Sequence, residues 1–560
     1  MPDLTTKIAV LSLAAAALAC SANKSKSNGD SAAKPAGFSV FVTTELRGNI
    51  EPCGCTSDPM GDLARTVAVV QAARAGAEAV LYVDGGSTLF SDTRIPAHLA
   101  AQQQLSSDLL FGALTERLQV AAMGLGPNDL ARGPAGVRPA RQVANLPAAA
   151  GVPVEAPKLV QVGGVQVGIF GVVAPAAVSG LGIEPTDPKA AAAKAVAELR
   201  GRGARVVLGL AHMTRSEARQ LAREVPAIDF LVIGQNAPEP ALVDHEPMKV
   251  DDTWLVQPAN RGQVVTRLDV TVRGAGGLTD AIGEGRATYK ISTLSDRIAG
   301  LEQELPAMQA DPTADQEFIA TKQRELAELK EERASLQRQP LVVPPTGSWF
   351  TMTQIEIRKG LACDPELQQQ KQALDKAIGV ANLAAAQGTE PAPVPEGQAG
   401  FSGIEECSMC HAEAVTFWKG TSHARAWKTL EDLNKQLDYD CIGCHVTGWD
   451  RPGGATLARN EDLRDVQCEV CHAAGSLHVD ADGSDQPRTV VLSPPEELCK
   501  GCHNPDHSDT FDYQAYLRDV TGPGHGEAFR KKLGDGPTGH ALRKAALEKA
   551  GASIGQGCLK

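Results

Sequence analysis

Cys407-Ser408-Met409-Cys410-His411, Cys441-Ile442-Gly443-Cys444-His445, Cys468-Glu469-Val470-Cys471-His472 and Cys499-Lys500-Gly501-Cys502-His503 repeat one pattern within the last third of a 560-residue chain. The two intervening residues change from copy to copy; both cysteines and the histidine stay. Two thiols one helical turn apart can form thioethers to the two vinyl groups of one porphyrin, and the histidine that follows falls beneath the iron as proximal ligand. The alternative for paired Cys-x-x-Cys is structural zinc. Zinc draws four ligands from two motifs and gives no role to a histidine fixed after every second cysteine. The repeats therefore predict four covalent haem c groups, on Cys407/Cys410, Cys441/Cys444, Cys468/Cys471 and Cys499/Cys502, with His411, His445, His472 and His503 beneath the irons.

Each iron usually takes a sixth ligand. Beyond Met352 the chain has one methionine, Met409, and it lies inside a motif, so histidine is the available type. Five remain in this region: His423, His478, His507, His525 and His540. Histidine on both faces of an iron implies comparatively low potentials, because methionine ligation raises them.

The formal charge of −13 and pI near 5.5 argue against a nucleic-acid partner, which favours a basic surface. Aromatic side chains make up only 4% of the chain. In the last 160 residues the porphyrins themselves are expected to supply much of the buried apolar area.

At the other end, Lys7 precedes an apolar run, Ile8 to Ala19, too short to span a bilayer but suited to a signal-peptide core. It closes on Ala17-Leu18-Ala19-Cys20, which resembles the bacterial lipoprotein box, in which the cysteine is lipidated. An ordinary secretory signal with an incidental cysteine is the alternative. Both imply export, to a periplasmic or cell-surface location, with a membrane lipid anchor on Cys20 in the first case. Residues 21–37 are rich in Ser, Asn, Lys and Gly and read as a flexible tether.

Residues 38–273 alternate short β-branched runs with alanine-rich stretches. Strands are predicted at Phe38–Thr43, Ala79–Val83, Val165–Val173, Val206–Leu210 and Phe230–Ile233, and helices at Gly61–Ala75 and Ala190–Leu199. This pattern predicts a layered α/β domain with its ligand chemistry at strand ends. In residues 286–340 an apolar stripe (Ile291, Leu294, Ile298, Leu301, Leu305, Met308) is broken at Asp311-Pro312-Thr313. It resumes at Ile319, which predicts an antiparallel helical hairpin. Residues 341–400 are expected to hold a helix at Gln368–Ala386 and then a Pro-rich linker into the haem-binding region, residues 401–560. That region is expected to be mainly helical and irregular.

The N-terminal series TTELRG (43–48), VDGGS (83–87), GPND (126–129), GLAH (209–212) and IGQNA (233–237) resembles, in order and spacing, the 5′-nucleotidase-like metallophosphoesterases. GVQVGIFGVVAP (164–175) resembles their central strand pair. In that family these places hold two metal ions that clamp phosphate and activate water. Here they read Glu45 and Arg47, Ser87, Pro127 and Asn128, and Gln235 and Ala237; among the ligand histidines only His212 is kept. The resemblance implies the fold, and the departures imply a domain without the phosphoesterase centre.

The C-terminal motifs, with FWKGTSHARAW (417–427), CIGCHVTGW (441–449), CEVCHAAGSLH (468–478) and CKGCHNPDHSDTFDY (499–513), resemble the tetrahaem cytochromes that accept electrons from hydroxylamine oxidoreductase. That resemblance implies His423, His478 and His525 as distal ligands, leaves His507 and His540 competing for the fourth place, and allows one five-coordinate iron. Lys419, Arg425 and Arg530 are candidates to pair with haem propionates. Cys53, Cys55, Cys363 and Cys558 are left for disulfides in an oxidising compartment, with pairing open. The leading expectation is an electron carrier served by redox partner proteins, its first domain docking or scaffolding. A haem-based reductase with an open iron, or a phosphoesterase with a redox tail, is the alternative.

Overall fold

The computed structural model describes residues 36–551 apart from 53–54, 77, 235–243, 275 and 487. The expected signal, Cys20 and most of the tether lie outside the described residues, as do Cys53, Gln235, Ala237 and Cys558.

Fourteen strands form in chain order: β1 (Ala36–Thr43), β2 (Val80–Asp84), β3 (Ala122–Met123), β4 (Arg141–Gln142), β5 (Val154–Glu155), β6 (Lys158–Val162), β7 (Val165–Val173), β8 (Val206–His212), β9 (Phe230–Gly234), β10 (Met248–Val250), β11 (Thr253–Val256), β12 (Val264–Val272), β13 (Leu278–Ala281) and β14 (Ser348–Glu356). One six-stranded sheet runs β13-β14-β12-β1-β2-β3 and a second β10-β11-β9-β8-β7-β6. The sheets face each other. Period-two alternation decides which side chains meet: Phe38, Val40 and Val42 of β1 pack with Val206, Leu208 and Leu210 of β8 in the shared core, while Phe41 and Val207 face outward into helical layers.

Helices α1 (Leu63–Ala75) and α2 (Ala100–Gly112) cover the first sheet, and α3 (Pro188–Gly201) and α4 (Arg215–Glu224) the second. Their starts are written in the sequence. Asp62 accepts from the Ala64 and Arg65 amides, Asp187 caps α3 ahead of Pro188, and Thr214 with Glu217 forms a capping box on α4. Thr214→Ala is expected to cost about 1 kcal/mol, read as a lower unfolding midpoint of the sheet sandwich.

The hairpin forms as expected, α5 (Glu284–Ala310) against α6 (Gln316–Arg338), with Leu294, Ile298, Leu301, Leu329 and Leu336 buried between them. It is an insertion. β13 precedes it and β14 follows it, and the two pair in parallel within the first sheet, so the expected boundary at residue 273 falls inside the sandwich. The expected 341–400 connector is likewise part of the fold: α7 (Pro365–Ala386) buries Leu367, Leu374 and Ile378 against the first sheet's helical layer, and Lys371 binds the Asp62 carboxylate at 2.6 Å. The tether's last two residues, Ala36 and Gly37, already belong to β1.

Residues 401–551 form short helices and irregular chain, and eleven apolar side chains there are buried. This region is fastened to the sandwich by polar contacts. Gln102 of α2 donates to Asp438 (2.7 Å) and Asp440 (2.8 Å); Asn382 of α7 donates to Gln102 (2.8 Å) and to the Leu437 carbonyl (2.9 Å). Lys435 joins Glu51 and Asp375. Burial works to raise the Glu51 carboxyl, yet Lys435 and then Lys371 hold it below the ordinary range.

Candidate haem cavity and strand-end centre

Each Cys-x-x-Cys-His motif starts on, or just after, a helical turn: Ile404–Ser408, Tyr439–Ile442, Cys468–His472 and Glu496–Lys500. Helical geometry puts the two cysteines of a motif on one face. The first and fourth motifs also close a backbone bond from the histidine amide to the first cysteine's carbonyl (His411 to Cys407, 2.9 Å; His503 to Cys499, 2.8 Å).

The second, third and fourth motifs line one cavity of about 2060 Å³, together with His423, His507, His525 and His540. A single-ligand pocket is about 300–1,000 Å³, so this space suits several large flat groups. The motif histidines are oriented for iron. His445 Nδ1 meets the Ala426 carbonyl at 2.5 Å and His472 Nδ1 the Val491 carbonyl at 2.6 Å, so Nδ1 carries the proton and Nε2 is left as a ligand. His503 Nδ1 pairs with the Ser508 hydroxyl at 3.1 Å. The His423 and His503 rings are 6.2 Å apart centre to centre, about what two imidazoles need to hold one metal between them at about 2 Å per bond. The residues present fit haem. Among the described residues no group of three or more His, Cys, Asp or Glu is placed to hold a metal ion.

Burial, with His472 adding to it, holds His525 below the ordinary histidine range, and its Nδ1 accepts from the Gly522 amide at 3.3 Å. That is the opposite polarity from His445 and His472. His478 stands apart from the cavity with its Nδ1 on Asp485 at 2.8 Å, a carboxylate partner that makes Nε2 a stronger donor. The first motif is also outside the cavity wall. Of the three bases expected beside propionates, Arg425 lines the cavity, whereas Lys419 and Arg530 do not. The motifs nonetheless approach one another at their free thiols: Cys407 lies beside Cys468, Cys471 is near Cys499, and Cys502 lies beside Cys444. Through space the order is first, third, fourth, second.

The strand ends of the sandwich carry a different chemistry. Arg47 Nε and Nη2 both reach Glu45 Oε2 at 3.0 Å, and His212 Nε2 lies 3.5 Å from Glu45 Oε1. Burial raises the Glu45 carboxyl to about 7 against the pull of Arg47, and burial lowers His212 to about 4, so this pair is not ionised together near neutrality. Asp129 takes three amide bonds, from Ser87, Thr88 and Gly126, each 2.9 Å, and the Arg141 guanidinium at 2.9 Å with both side chains fully buried. A Cβ at Gly126 would lie 2.3 Å from Ser87 Oγ and 2.8 Å from His212 Cε1, so the space between these strand ends is already filled. Glu45, Arg47 and Ser87 all hold positive φ (54°, 52° and 54°), a strained backbone of the kind functional loops keep.

Residues 406–473 match the family described as Cytochrome c554 and c-prime. Over 134 residues the chain is 31% identical to cytochrome c-554 of Nitrosomonas europaea, which covers 18% of this chain and 57% of that protein. The C-terminal region is cytochrome c554-like. The chain thus spans little more than half the length of the curated relative it matches. The reduced-state structure of that cytochrome is similar at 30% identity, covering 19% of this chain and 66% of the other, with a TM-score of 0.16. A 5′-nucleotidase precursor from Thermus thermophilus is similar at 17% identity, covering 74% and 69%, with a TM-score of 0.40. The calcineurin-like phosphoesterase YfkN from Bacillus subtilis is similar at 19%, covering 42% and 87%, with a TM-score of 0.34.

The chain joins a sandwich of two six-stranded sheets to a cytochrome c554-like region whose Cys-x-x-Cys-His motifs are those of covalent haem c attachment. The sequence motifs leave out one part of the cavity wall. Arg47 to Pro52, Cys55, Thr56, Asp58 to Met60, Gln102, Gln103, Ser106 and Arg261 come from the sandwich and line the same cavity as the second and fourth motifs. Ser57 N donates to Asp509 at 3.0 Å and Arg261 pairs with Asp506 at 3.3 Å, which ties the sandwich to the loop after His503. Cys363 is in a disulfide. No helix among the described residues is long and apolar enough to cross a membrane.

Proposed function

We propose that the chain is an exported tetrahaem electron-transfer protein whose sheet sandwich has no phosphoesterase activity and acts as scaffold. A lipid anchor on Cys20 and docking of redox partner proteins belong to the same proposal. Bound haem supplies one-electron Fe(III)/Fe(II) chemistry. The protein's part is to hold and order the sites. The spatial order of the motif cysteines gives a path that enters or leaves at the first or the second motif. The observation that supports the reading is the His423 and His503 rings, 6.2 Å apart on the wall of the cavity that the motif cysteines line.

His423→Ala in the mature holoprotein tests it. One haem of four is expected to turn from low to high spin in electron paramagnetic resonance, with the haem count unchanged. An unchanged low-spin spectrum removes His423 from the ligand set; high-spin iron and ligand-induced shifts already in the unaltered protein favour a reductase instead. The inactive-scaffold half is tested by metal analysis and phosphoester hydrolysis on the full chain, where stoichiometric metal with turnover lost in His212→Ala rejects it.

A further inference from the structure

The last helix of the described chain, Gly539–Gly551, lies beyond residues 406–473, the part that matches the cytochrome family, yet it reaches the cavity wall through Gly539, His540 and Arg543. We propose that Arg543 anchors the fourth-motif haem by pairing with one of its propionates, and so raises that haem's midpoint above what its axial ligands alone would give. This rests on the tetrahaem reading above.

Two observations carry it. The first is placement. Gly539 sets the start of the helix against the Tyr516 ring, where a Cβ would lie 2.4 Å from Tyr516 Cδ2, and the Asp519 carboxylate accepts from the His540 amide at 2.6 Å. Tyr516 in turn meets the His503 ring edge-on, 5.0 Å between centres, and its hydroxyl pairs with Ser508, which also holds His503 Nδ1. Arg543 is one helical turn on from Gly539 and shares its face, the face turned to the fourth motif. Its charge acts on His503, where burial first, then His423 and Arg543, hold the ring below the ordinary histidine range.

The second observation is commitment. Six lysine and arginine side chains line the cavity. Arg47 is taken by Glu45, Arg261 by Asp506, and Lys435 by Glu51 and Asp375. Among the described residues no carboxylate pairs with the other three, Arg425, Lys532 and Arg543. Arg425 and Lys532 are exposed, where water serves them, but Arg543 is half-buried. A guanidinium drawn out of water without an anion is costly, and its planar fork suits a carboxylate in two parallel bonds. Each porphyrin brings two carboxylates into this cavity.

A positive charge beside a haem favours the reduced, less positive iron, so removing the charge lowers that haem's midpoint. The test is a potentiometric titration of the full-length holoprotein, after intact mass has shown four haems, in Arg543→Gln, Arg543→Lys and Lys544→Gln. Lys544 is the control: it is exposed on the same helix beside Glu548, and its loss changes the net charge equally. The expected result is one midpoint that falls in Arg543→Gln and returns towards wild type in Arg543→Lys, with all four unmoved in Lys544→Gln. Four wild-type midpoints in Arg543→Gln, all four moving together, or the same midpoint falling equally in Lys544→Gln overturn the proposal. Should Arg543→Gln not accumulate as holoprotein, Arg543→Lys decides, because a lysine cannot reproduce the two-pronged bond. Its resonance Raman spectrum is expected to show one displaced propionate-bending band, and bands identical to wild type overturn the proposal. Absence of haem from the unaltered chain is a different failure, seen by mass before any titration, and it defeats the tetrahaem reading itself.

Discussion

Chain matured without haem attachment is expected to be trimmed by limited proteolysis to a resistant fragment ending near Ala386, with everything beyond it digested. The reason is the distribution of the core. The two sheets and their helical layers bury nearly all of the large apolar side chains, whereas residues 401–551 bury eleven, among them only one aromatic, Trp427. A region of that size with so small a core needs staples, and covalent porphyrins are the staples its sequence provides. The contacts that fasten it to the sandwich, through Gln102, Asn382 and Lys435, are polar and do not replace a missing core. Fragment masses after a protease time course measure this. Equal protection of both halves in the haem-free chain would contradict it.

Arg141→Ala is expected to destabilise the sandwich by about 3–5 kcal/mol, the largest effect of any single side chain considered. Arg141 and Asp129 are both fully buried, 2.9 Å apart, and removing the guanidinium leaves a carboxylate in the interior with no cation. The three amides on Asp129 remain, so the site keeps its shape while losing its charge balance. Breaking the exposed pair Lys330–Glu302 on the hairpin, by contrast, is expected to leave the unfolding midpoint nearly unchanged. Urea unfolding of the two variants side by side measures the difference, and similar small shifts in both would show that the buried pair does not matter.

The parts of this fold that are legible in the sequence are those with a local signature. Val165–Val173 is an uninterrupted buried strand, the helices predicted at Gly61–Ala75 and Ala190–Leu199 form within two residues of those bounds, and the stripe from Ile291 to Leu336 spells an antiparallel hairpin. Each follows from periodicity or capping within a few residues. What is not legible is non-local. That β14 returns to pair with β12 and β13 after a hairpin of more than sixty intervening residues has no periodic trace, so a boundary at 273 is the natural reading of the sequence. The same holds for α7, whose apolar face fits a packed helix without saying what it packs on.

The haem site divides in the same way. The motif cysteines and proximal histidines are fixed by spacing alone. Which histidine faces which iron depends on the tertiary path, and only the geometry brings the His423 ring close to His503. The wall supplied by Arg47, Gln103 and Ser106 leaves no trace in the sequence, because two loops and a helix face from a different domain carry no motif of their own. Glu45, Arg47 and Ser87 in left-handed backbone run against the preference of those residue types, a mark of a functional loop that propensity cannot place.

Intact-mass spectrometry of the mature chain, expressed with a working cytochrome c maturation system, decides whether the four motifs carry haem. The expected mass is increased by four covalently attached haems, each lost when its motif's two cysteines are replaced by serine. A protein that carries no covalent haem, or that binds zinc through the same cysteines, would contradict it.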